Sequence, residues 1–353
     1  MATAFIQADL APPEPLAGPF HLSTGWARCW AKAYAGDGAV ELAVGDARLR
    51  LTRQRGRLGP LRFPLLTSAS NLQTCYFDLE GEPGDEALSW LSHRLLETGA
   101  AQVRLDWLDE CSALLAAGRA WRSRHLVTVE PFALSPLADC RDSFEAYLAR
   151  AGSSVRKYWK ACRRQIVEGP IEFRIAEGGP GLGALLDEMF ALEASGWKGR
   201  EGTAILSSAE DAHFYRSLAF AAAEAGALRI ATLREEGRLL AYEYCVVGGD
   251  SVLAMKVGYD ETRSRLQPGH MVAVMNIRDA CANPRLAWYD MLGNGMRVAE
   301  YKKRFATDFR TLYRVRLFAR TPLGRLLYAL YRTKPAAKGL RDRLRSLAGR
   351  RSR

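Results

Sequence analysis

The stretch that most constrains the fold of this chain is an apolar hairpin followed directly by a helix start. Leu239–Val247 and Ser251–Tyr259 are rich in strand-forming residues, and Gly248–Asp250 between them is typical of a hairpin turn. Pro268-Gly269 then opens an apolar run with helical spacing, from Met271 to Cys281. Gly269 would let the chain approach a ligand closely while the first N–H groups of the helix face an anion. The stretch therefore predicts two paired strands that lead into an anion-binding turn.

Composition limits the classes of protein to which the chain can belong. Its 353 residues suffice for two domains with cores of their own. No apolar run approaches the roughly 18 residues that indicate a membrane span. The first twenty residues contain no basic segment, so we expect no secretory signal. Seven scattered cysteines without a CxxC pair indicate a reduced, cytosolic protein and no zinc site.

Basic residues are concentrated at the C-terminal end. From Arg297 onward, 18 Lys and Arg residues stand against three acidic residues, which gives a net charge of +15. The preceding 296 residues therefore carry a net charge of −4, compared with +11 for the whole chain. The basic character belongs to the last part of the chain and not to the rest.

Helix and strand patterns alternate in two successive segments, which meet at Pro131–Pro136. The first segment holds a predicted hairpin, a predicted strand at Cys75–Leu79 and two amphipathic helices, without a phosphate loop or catalytic cluster. We expect four regions: a flexible lead-in over 1–20, a first domain over 21–130, a second over 131–320 and a basic tail over 321–353.

Four short motifs in the second segment resemble a known family. These motifs are Lys256-Val257-Gly258-Tyr259-Asp260, Pro268-Gly269, Tyr289-Asp290-Met291-Leu292-Gly293 and Tyr301-Lys302. They are similar to the acetyltransferases of the CelD/BcsL group, which belong to the GNAT superfamily and are linked to exopolysaccharide or cellulose biosynthesis. The resemblance implies an α/β (α+β) fold with tandem GNAT-like domains, in which mixed sheets are flanked by helices. Residues 21–130 would then be a degenerate GNAT-like domain and 131–320 the acyltransferase domain.

The resemblance also assigns roles to individual residues. In GNAT folds the helix after the central strand receives the pyrophosphate of acyl-CoA, so acyl-CoA (acetyl-CoA) is expected at Gln267, Pro268, Gly269 and His270. Ser195–Gly199 matches the family's Trp-Lys-Gly element, and Trp197 and Lys198 are expected to bind substrate. A hinge in which Trp197 fills the core is the alternative. Lys256 and Lys302 match family positions and are expected to hold anionic parts of substrate or cofactor. Tyr259 is expected to bind substrate.

Acyl transfer needs a base for the acceptor and a group that polarises the thioester carbonyl. Glu243 is the first candidate for the base, because burial in an otherwise apolar strand would raise its pKa. It could instead face solvent, since Tyr242 and Tyr244 alternate with it. The reserve candidates are Asp260, Asp290 and His270. In GNAT folds, backbone N–H groups at a split between two central strands polarise the carbonyl.

The expected function is acyl-CoA-dependent N- or O-acyl transfer to a sugar, a polysaccharide precursor or another cell-envelope acceptor. FemAB-type transferases share the tandem architecture and take aminoacyl groups from tRNA, and they are the first alternative. The basic, aromatic helix predicted at Ser153–Val167 would suit them, although it could equally present a solvated face. A non-catalytic scaffold for polysaccharide machinery is another alternative. The sequence contains no Walker loop, catalytic triad order or metal-ligand spacing.

Apolar side chains recur with helical spacing in the basic tail. The first period is Leu323, Leu326, Leu327, Leu330 and Tyr331, and the second is Leu340, Leu344 and Leu347. A basic amphipathic pattern suits the surface of an anionic membrane. We therefore expect a cytoplasmic enzyme that is peripheral at the inner face of the cell membrane. Docking of the apolar stripe onto the protein's own core and binding of nucleic acid (tRNA) are the alternatives.

Overall fold

The computed structural model describes residues 18–333, apart from the side chain of Asp85. These residues divide into two compact units, each made of separate stretches of the chain. The first unit contains the described residues up to Cys29, Leu137–Leu292 and Tyr301–Asp308. The second contains Trp30–Pro136, Gly293–Glu300 and the described residues from Phe309 onward. The domain limits expected from the sequence stay a prediction.

Strands and helices alternate along the described chain. The strands are β1 (Ala39–Val44), β2 (Ala47–Leu58), β3 (Leu61–Ser68), β4 (Gln102–Leu108), β5 (Leu126–Asp139), β6 (Ile171–Ala176), β7 (Leu228–Glu235), β8 (Arg238–Gly248), β9 (Ser251–Tyr259), β10 (Trp288–Asp290) and β11 (Asp308–Phe318). The helices are α1 (Thr24–Trp30), α2 (Asp85–Glu97), α3 (Ala113–Trp121), α4 (Phe144–Arg150), α5 (Ser153–Cys162), α6 (Leu182–Ser195), α7 (Trp197–Arg200), α8 (Ala209–Glu224), α9 (Pro268–Ala282) and α10 (Glu300–Phe305). Residues 322–333 are helical as well.

The sheet of the first unit has the order β6-β7-β8-β9-β10, followed by the last three residues of β5. Strands β6 to β9 are antiparallel neighbours. Strand β10 is parallel to β9, and the chain reaches it through the crossover helix α9. Nearly every residue of β8 is buried, which explains why its sequence is almost continuously apolar.

The second unit repeats this arrangement. Strands β1, β2 and β3 form an antiparallel meander, α2 follows, and β4 lies parallel to β3. Strand β11 then pairs antiparallel with β4, as the end of β5 does with β10 in the first unit. The expected fold class, tandem α/β (α+β) domains with mixed sheets flanked by helices, is confirmed.

Strands β9 and β10 stay paired for only three residues. Ser251–Leu253 pair with Trp288–Asp290, and β9 then continues to Tyr259 with β8 as its neighbour. On the side away from β8, residues 254–259 have no neighbouring strand within the described chain. We call the space between these residues and the chain after Asp290 the strand opening.

Helix α9 is the central helix of the first unit. The five consecutive residues 271–275 are buried, so the helix is apolar all round, as expected for a helix that is covered on all sides. It packs against α4, α5 and the sheet. Its start follows from the local sequence, because Gln267 takes a left-handed conformation (φ 54°) and Pro268 occupies the first helical position, where a missing N–H costs no hydrogen bond.

The strand predicted at Cys75–Leu79 is wrong. This segment is irregular and largely buried, and the carboxylate of Asp78 accepts the N–H groups of Ala113 and Leu114 at the start of α3. Its apolar residues face the core of the second unit without joining a sheet. A short apolar run indicates burial, but it does not by itself distinguish a strand from a buried loop.

The first apolar period of the tail packs within the second unit. Leu327 is fully buried in a cluster with Phe63, Leu65 and Phe318, and Leu323, Tyr328 and Tyr331 pack against the same cluster. Leu326 and Leu330 remain exposed. Docking onto the protein's own core therefore accounts for this part of the stripe.

The second apolar period, Leu340 to Leu347, lies outside the described residues, so membrane attachment through it stays a prediction. In residues 18–333, no helix combines the length and the apolar character needed to cross a bilayer.

We expect Leu327→Ala to lower the free energy of unfolding by about 2–5 kcal/mol, because it leaves a cavity in a packed core. The neighbouring Leu326 is 49% exposed, so Leu326→Ala should change it by less than about 0.5 kcal/mol. Urea denaturation of the full-length variants measures both values. Equal effects of the two substitutions would contradict the packing of residues 322–333.

Candidate active site

Two lysine ammonium groups bond backbone carbonyls at the two edges of the strand opening. Lys198 Nζ, from α7, donates to the carbonyl oxygen of Val257 in β9 at 2.6 Å. Lys302 Nζ, from α10, donates to the carbonyl oxygens of Met291 and Leu292, each at 2.7 Å. Carbonyl groups that lack a strand partner are thus satisfied by cations. The opening has one positive charge on each side.

Burial lowers the pKa of Lys302 from 10.5 to about 8. Asp290 and Glu243 lie close enough to favour its charged form, and Lys198 opposes it. A lysine with a pKa near neutral can gain or lose its proton at working pH. The protonation of Lys302 therefore depends on its burial and on the charged groups around it.

A buried carboxylate holds Lys198 in place. Glu193 Oε1 accepts from Lys198 Nζ at 2.7 Å, and Oε2 accepts the N–H of Ile205 at 2.8 Å. The side chain of Trp197 beside it is 40% exposed, and the main-chain N–H of Trp197 donates to Glu261 Oε1 at 2.6 Å. The indole ring therefore does not fill the core, as the hinge alternative required.

Lys256 and Tyr259 project from β9 itself. Lys256 Nζ lies 5.3 Å from the ring centroid of Tyr215, and burial lowers its pKa. Tyr259 contacts the start of α9, where a Cβ atom on Gly269 would lie only 3.1 Å from Tyr259 Cδ1. The missing side chain at Gly269 lets the end of β9 and the start of α9 approach each other.

A cavity of about 310 Å³ lies between α5 and the start of α9. Gln267 lines it together with Tyr158 and three basic side chains, Lys157, Arg164 and Arg265. Within residues 18–333, none of these three cations has a salt-bridge partner. Unpaired cations beside the N-terminus of a 15-residue helix favour the binding of an anion. We call this space the basic cavity.

Glu243 belongs to a buried polar network. Asn276 Nδ2 donates to Glu243 Oε2 at 3.0 Å, and Arg229 Nε donates to Asn276 Oδ1 at 2.8 Å. Arg229 also pairs with Asp279 at 2.6 Å. Burial raises the pKa of Glu243, against the effect of the hydrogen bond from Asn276. Its carboxyl group does not face solvent, so that alternative is wrong.

The two reserve carboxylates are both buried. Asp260 caps the short helix Glu261–Leu266 and pairs with Arg238 at 2.5 Å. Asp290 accepts a main-chain N–H at 2.8 Å and acts electrostatically on Lys302. Asp260 therefore supports the turn before α9, whereas Asp290 borders the strand opening.

Residues 153–303 match the family model described as an acetyltransferase (GNAT) domain. The matched segment covers less than half of the chain, and the match supports an acyltransferase. It includes both the strand opening and the basic cavity. No curated protein matches the sequence. The narrower assignment to the CelD/BcsL group stays a prediction.

The alignments with similar solved structures cover both units of the chain. FemX aligns with a TM-score of 0.57 at 11% identity, covering 90% of this chain and 95% of its own. The C-terminal domain of a putative lysylphosphatidylglycerol synthetase from Agrobacterium fabrum gives 0.55 at 12%, covering 85% and 90%. L-PGS from Bacillus licheniformis gives 0.54 at 12%, covering 95% and 98%. At these identities the likeness concerns the fold alone.

The predicted site residues occupy two places in the GNAT domain. Lys198, Lys302 and Asp290 border the strand opening, and Glu243 acts on Lys302 electrostatically from the sheet. Gln267, the first residue of the turn Gln267–His270, lines the basic cavity, and the ring of His270 stacks on Tyr158. Their catalytic and binding roles stay proposals.

Several residues around these two places were not predicted as site residues. Arg229 and Asn276 share a signal with Glu243, since each is a polar residue inside an apolar run. Glu193 gave no such signal, because α6 contains other acidic residues. Lys157, Arg164 and Arg265 line one cavity only because α5 packs beside the turn before α9.

We expect Glu243→Gln to raise the free energy of unfolding relative to the wild type, and to raise it more at higher pH. The folded-state pKa of Glu243 is raised, so ionising its carboxyl group costs folding free energy. The cost begins near the ordinary pKa of 4.5 and is complete above the folded-state pKa, whereas glutamine does not ionise. Denaturant unfolding between pH 4 and pH 8 measures the difference between variant and wild type. A difference that stays constant, as expected for the exposed control Glu201→Gln, would contradict the burial of a titrating carboxyl group.

Proposed function

We propose that the protein transfers an acyl group from acyl-CoA to an amine or hydroxyl acceptor. The proposal rests on one observation, the proximity of the strand opening and the basic cavity. Tyr259 ends the open stretch of β9 and contacts Gly269, and the adjacent Gln267 lines the cavity. A donor with a polyanionic end and a thioester end fits such a pair of sites, and acyl-CoA has this form.

The basic cavity would hold the phosphate groups of the donor. Gly269 offers the first N–H of α9, because Pro268 has none. Lys157, Arg164 and Arg265 add charge-assisted hydrogen bonds from the cavity wall. Bound acyl-CoA supplies the activated acyl group, and this wall orients it.

The strand opening would hold the acyl carbonyl. Negative charge develops on the carbonyl oxygen during acyl transfer, and a fixed cation stabilises it in a site with little water. Lys302 provides such a cation on one side of the opening, and β9 has an edge without a strand partner on the other. Because Lys302 is already held by two carbonyl groups, little reorganisation is needed at the moment of reaction.

Glu243 is the proposed base that takes the proton of the acceptor. Its raised pKa makes the ionised carboxylate a stronger base, and Glu243 acts electrostatically on both Lys302 and the exposed Tyr301. Asn276 fixes the carboxyl group through its hydrogen bond.

A sugar or polysaccharide precursor is the proposed acceptor, in line with the resemblance to the CelD/BcsL group. The support from the structure is the 40% exposed side chain of Trp197, which follows α6 and precedes Lys198. Flat aromatic rings pack well against the apolar faces of sugars, and an adjacent ammonium group can bond their hydroxyl groups.

We expect Gly269→Trp to weaken acyl-CoA binding by more than tenfold, about 1.4 kcal/mol or more. The new side chain must displace Tyr259 and would obstruct the phosphates. Titration calorimetry with acetyl-CoA measures the affinity. Gly183→Trp is the matched control, because a Cβ atom at Gly183 meets nothing within 4 Å. An unchanged affinity in a folded Gly269→Trp protein would remove the donor assignment.

The rate of acyl transfer should depend on pH with two limbs. Turnover should rise as Glu243 loses its proton, because only the ionised carboxylate can accept the acceptor's proton. It should fall as Lys302 loses its proton near pH 8, because the cation must be charged. Steady-state kinetics at saturating acetyl-CoA measure both limbs. Glu243→Gln should lower turnover by roughly 10²–10⁴ while leaving acyl-CoA binding intact.

Lys302→Arg tests the assignment of the alkaline limb. Arginine keeps its charge over the whole range, so the fall near pH 8 should disappear even if the maximal rate is reduced. Lys303→Arg, at an exposed neighbouring position, should keep the fall in place. A fall near pH 8 that persists in Lys302→Arg would show that another group controls this limb.

An aminoacyl transferase is the second candidate. FemX and a putative lysylphosphatidylglycerol synthetase share the fold, and the latter name denotes a product in which a lysyl group is joined to a phospholipid. In this chain, the alternative is favoured by the exposed cations Lys157 and Lys160 of α5 and Arg164 just after it, which would also suit RNA phosphates. In the same calorimetric assay, binding of a short RNA ending in CCA without binding of acetyl-CoA would support the alternative.

A further inference from the structure

Three aromatic rings meet at the start of α9. The rings of Tyr158 and His270 stack with centroids 4.6 Å apart and planes at 14°. Phe305 lies 5.8 Å from each of them, with planes at 15° to His270 and 21° to Tyr158. These near-parallel rings form one cluster, which we call the ring stack.

The ring stack connects the two places of the proposed active site. Tyr158 belongs to α5 and lines the basic cavity, and His270 lies in the first turn of α9. Phe305 ends α10, three residues after Lys302. A wall of the donor cavity and the helix that carries the cation of the strand opening therefore share one packing contact.

Polar contacts fix Tyr158 and Phe305 in the ring stack. Arg304 Nη1 donates to Tyr158 Oη at 3.1 Å, and Tyr147 Oη donates to the carbonyl oxygen of Phe305 at 2.9 Å. Within residues 18–333 the ring of His270 makes no such bond, and it contributes its face to the cluster. Burial, and next the charge of Arg304, lower the pKa of His270. The imidazole is therefore neutral at working pH, which also suits its place at the positive end of α9.

We propose that His270 is a positioning residue, whose ring holds α10 so that Lys302 stays buried at the carbonyl groups of Met291 and Leu292. This inference rests on the proposed function of Lys302 and deepens it. The role requires a flat ring at position 270 and no proton transfer. His270 acts on the reaction through the location of Lys302, and not through contact with the reacting atoms.

The pKa of Lys302 reports on this role. Burial is the main cause of its lowering to about 8, and the charged groups that face Lys302 are Asp290 from β10, Lys198 from α7 and Glu243 from β8. If α10 loosens, water reaches the ammonium group and the pKa rises toward the ordinary value of 10.5. A role limited to general stability would leave this pKa in place.

The test uses full-length His270→Ala and His270→Phe. In His270→Ala, we expect kcat to fall by about tenfold to hundredfold, more than KM for acetyl-CoA changes, because the cation is misplaced. The alkaline limb of kcat should also move above pH 8. His270→Phe keeps a flat ring and should restore both properties. His213→Ala, at an exposed position on α8, is the matched control.

A second measurement does not depend on acyl-transfer activity. The pH dependence of Lys302 labelling by an amine-reactive reagent, read by mass spectrometry of its peptide, gives its pKa directly. We expect a value near 8 in the wild type and in His270→Phe, and a higher value in His270→Ala. The protein could show these pKa values of Lys302 and still have no acyl-CoA turnover. That result would support the positioning role and contradict only the proposed function. An unchanged Lys302 pKa in folded His270→Ala, or a His270→Phe protein as impaired as His270→Ala, would overturn the inference.

Discussion

The parallel pairing of β9 and β10 ends after three residues, and the candidate active site of the first unit depends on that separation. Two strands that diverge leave backbone groups without partners, and such groups are costly unless other donors or acceptors satisfy them. Here the ammonium groups of Lys198 and Lys302 take the place of a neighbouring strand. The same geometry that interrupts the sheet therefore gathers positive charge at its edge.

Two lysines at one opening repel each other, and the surrounding groups make this arrangement stable. The buried carboxylate of Glu193 neutralises Lys198 directly, at 2.7 Å. Lys302 has no such partner at hydrogen-bond distance in the described chain, and Asp290 and Glu243 act on it only electrostatically. Its pKa is consequently lowered while that of Glu243 is raised, each mainly by burial. A cation that loses its proton easily and a carboxyl group that keeps its proton longer are a combination typical of enzyme sites.

Much of the fold follows from local sequence, and the exceptions have physical reasons. Strands β8 and β9 and helix α9 are predictable because their apolar runs are long and bounded by Gly248–Asp250 and Pro268-Gly269. Cys75–Leu79 has the same apolar character but is too short to separate a strand from a buried loop, and Asp78 there caps α3 instead of entering a sheet. In the tail, the sequence predicted the helix through its apolar spacing. It did not predict which residues the apolar side packs against. Leu327 meets Phe63 and Phe318, which are remote in the sequence.

By itself, the sequence determined the order of strands and helices around the β8–β9 hairpin, the turn Gln267–His270 and the identity of the charged residues near that turn. These features depend on neighbouring residues, through hydrogen bonds and side-chain periodicity that act over a few positions. The tertiary structure decided where β9 and β10 part, which carbonyl groups Lys198 and Lys302 bond, and that Lys157, Arg164 and Arg265 share one cavity. It also decided that Glu243 is buried against Asn276. Such properties arise because burial and charge depend on groups that are far apart in the chain, and only packing brings those groups together.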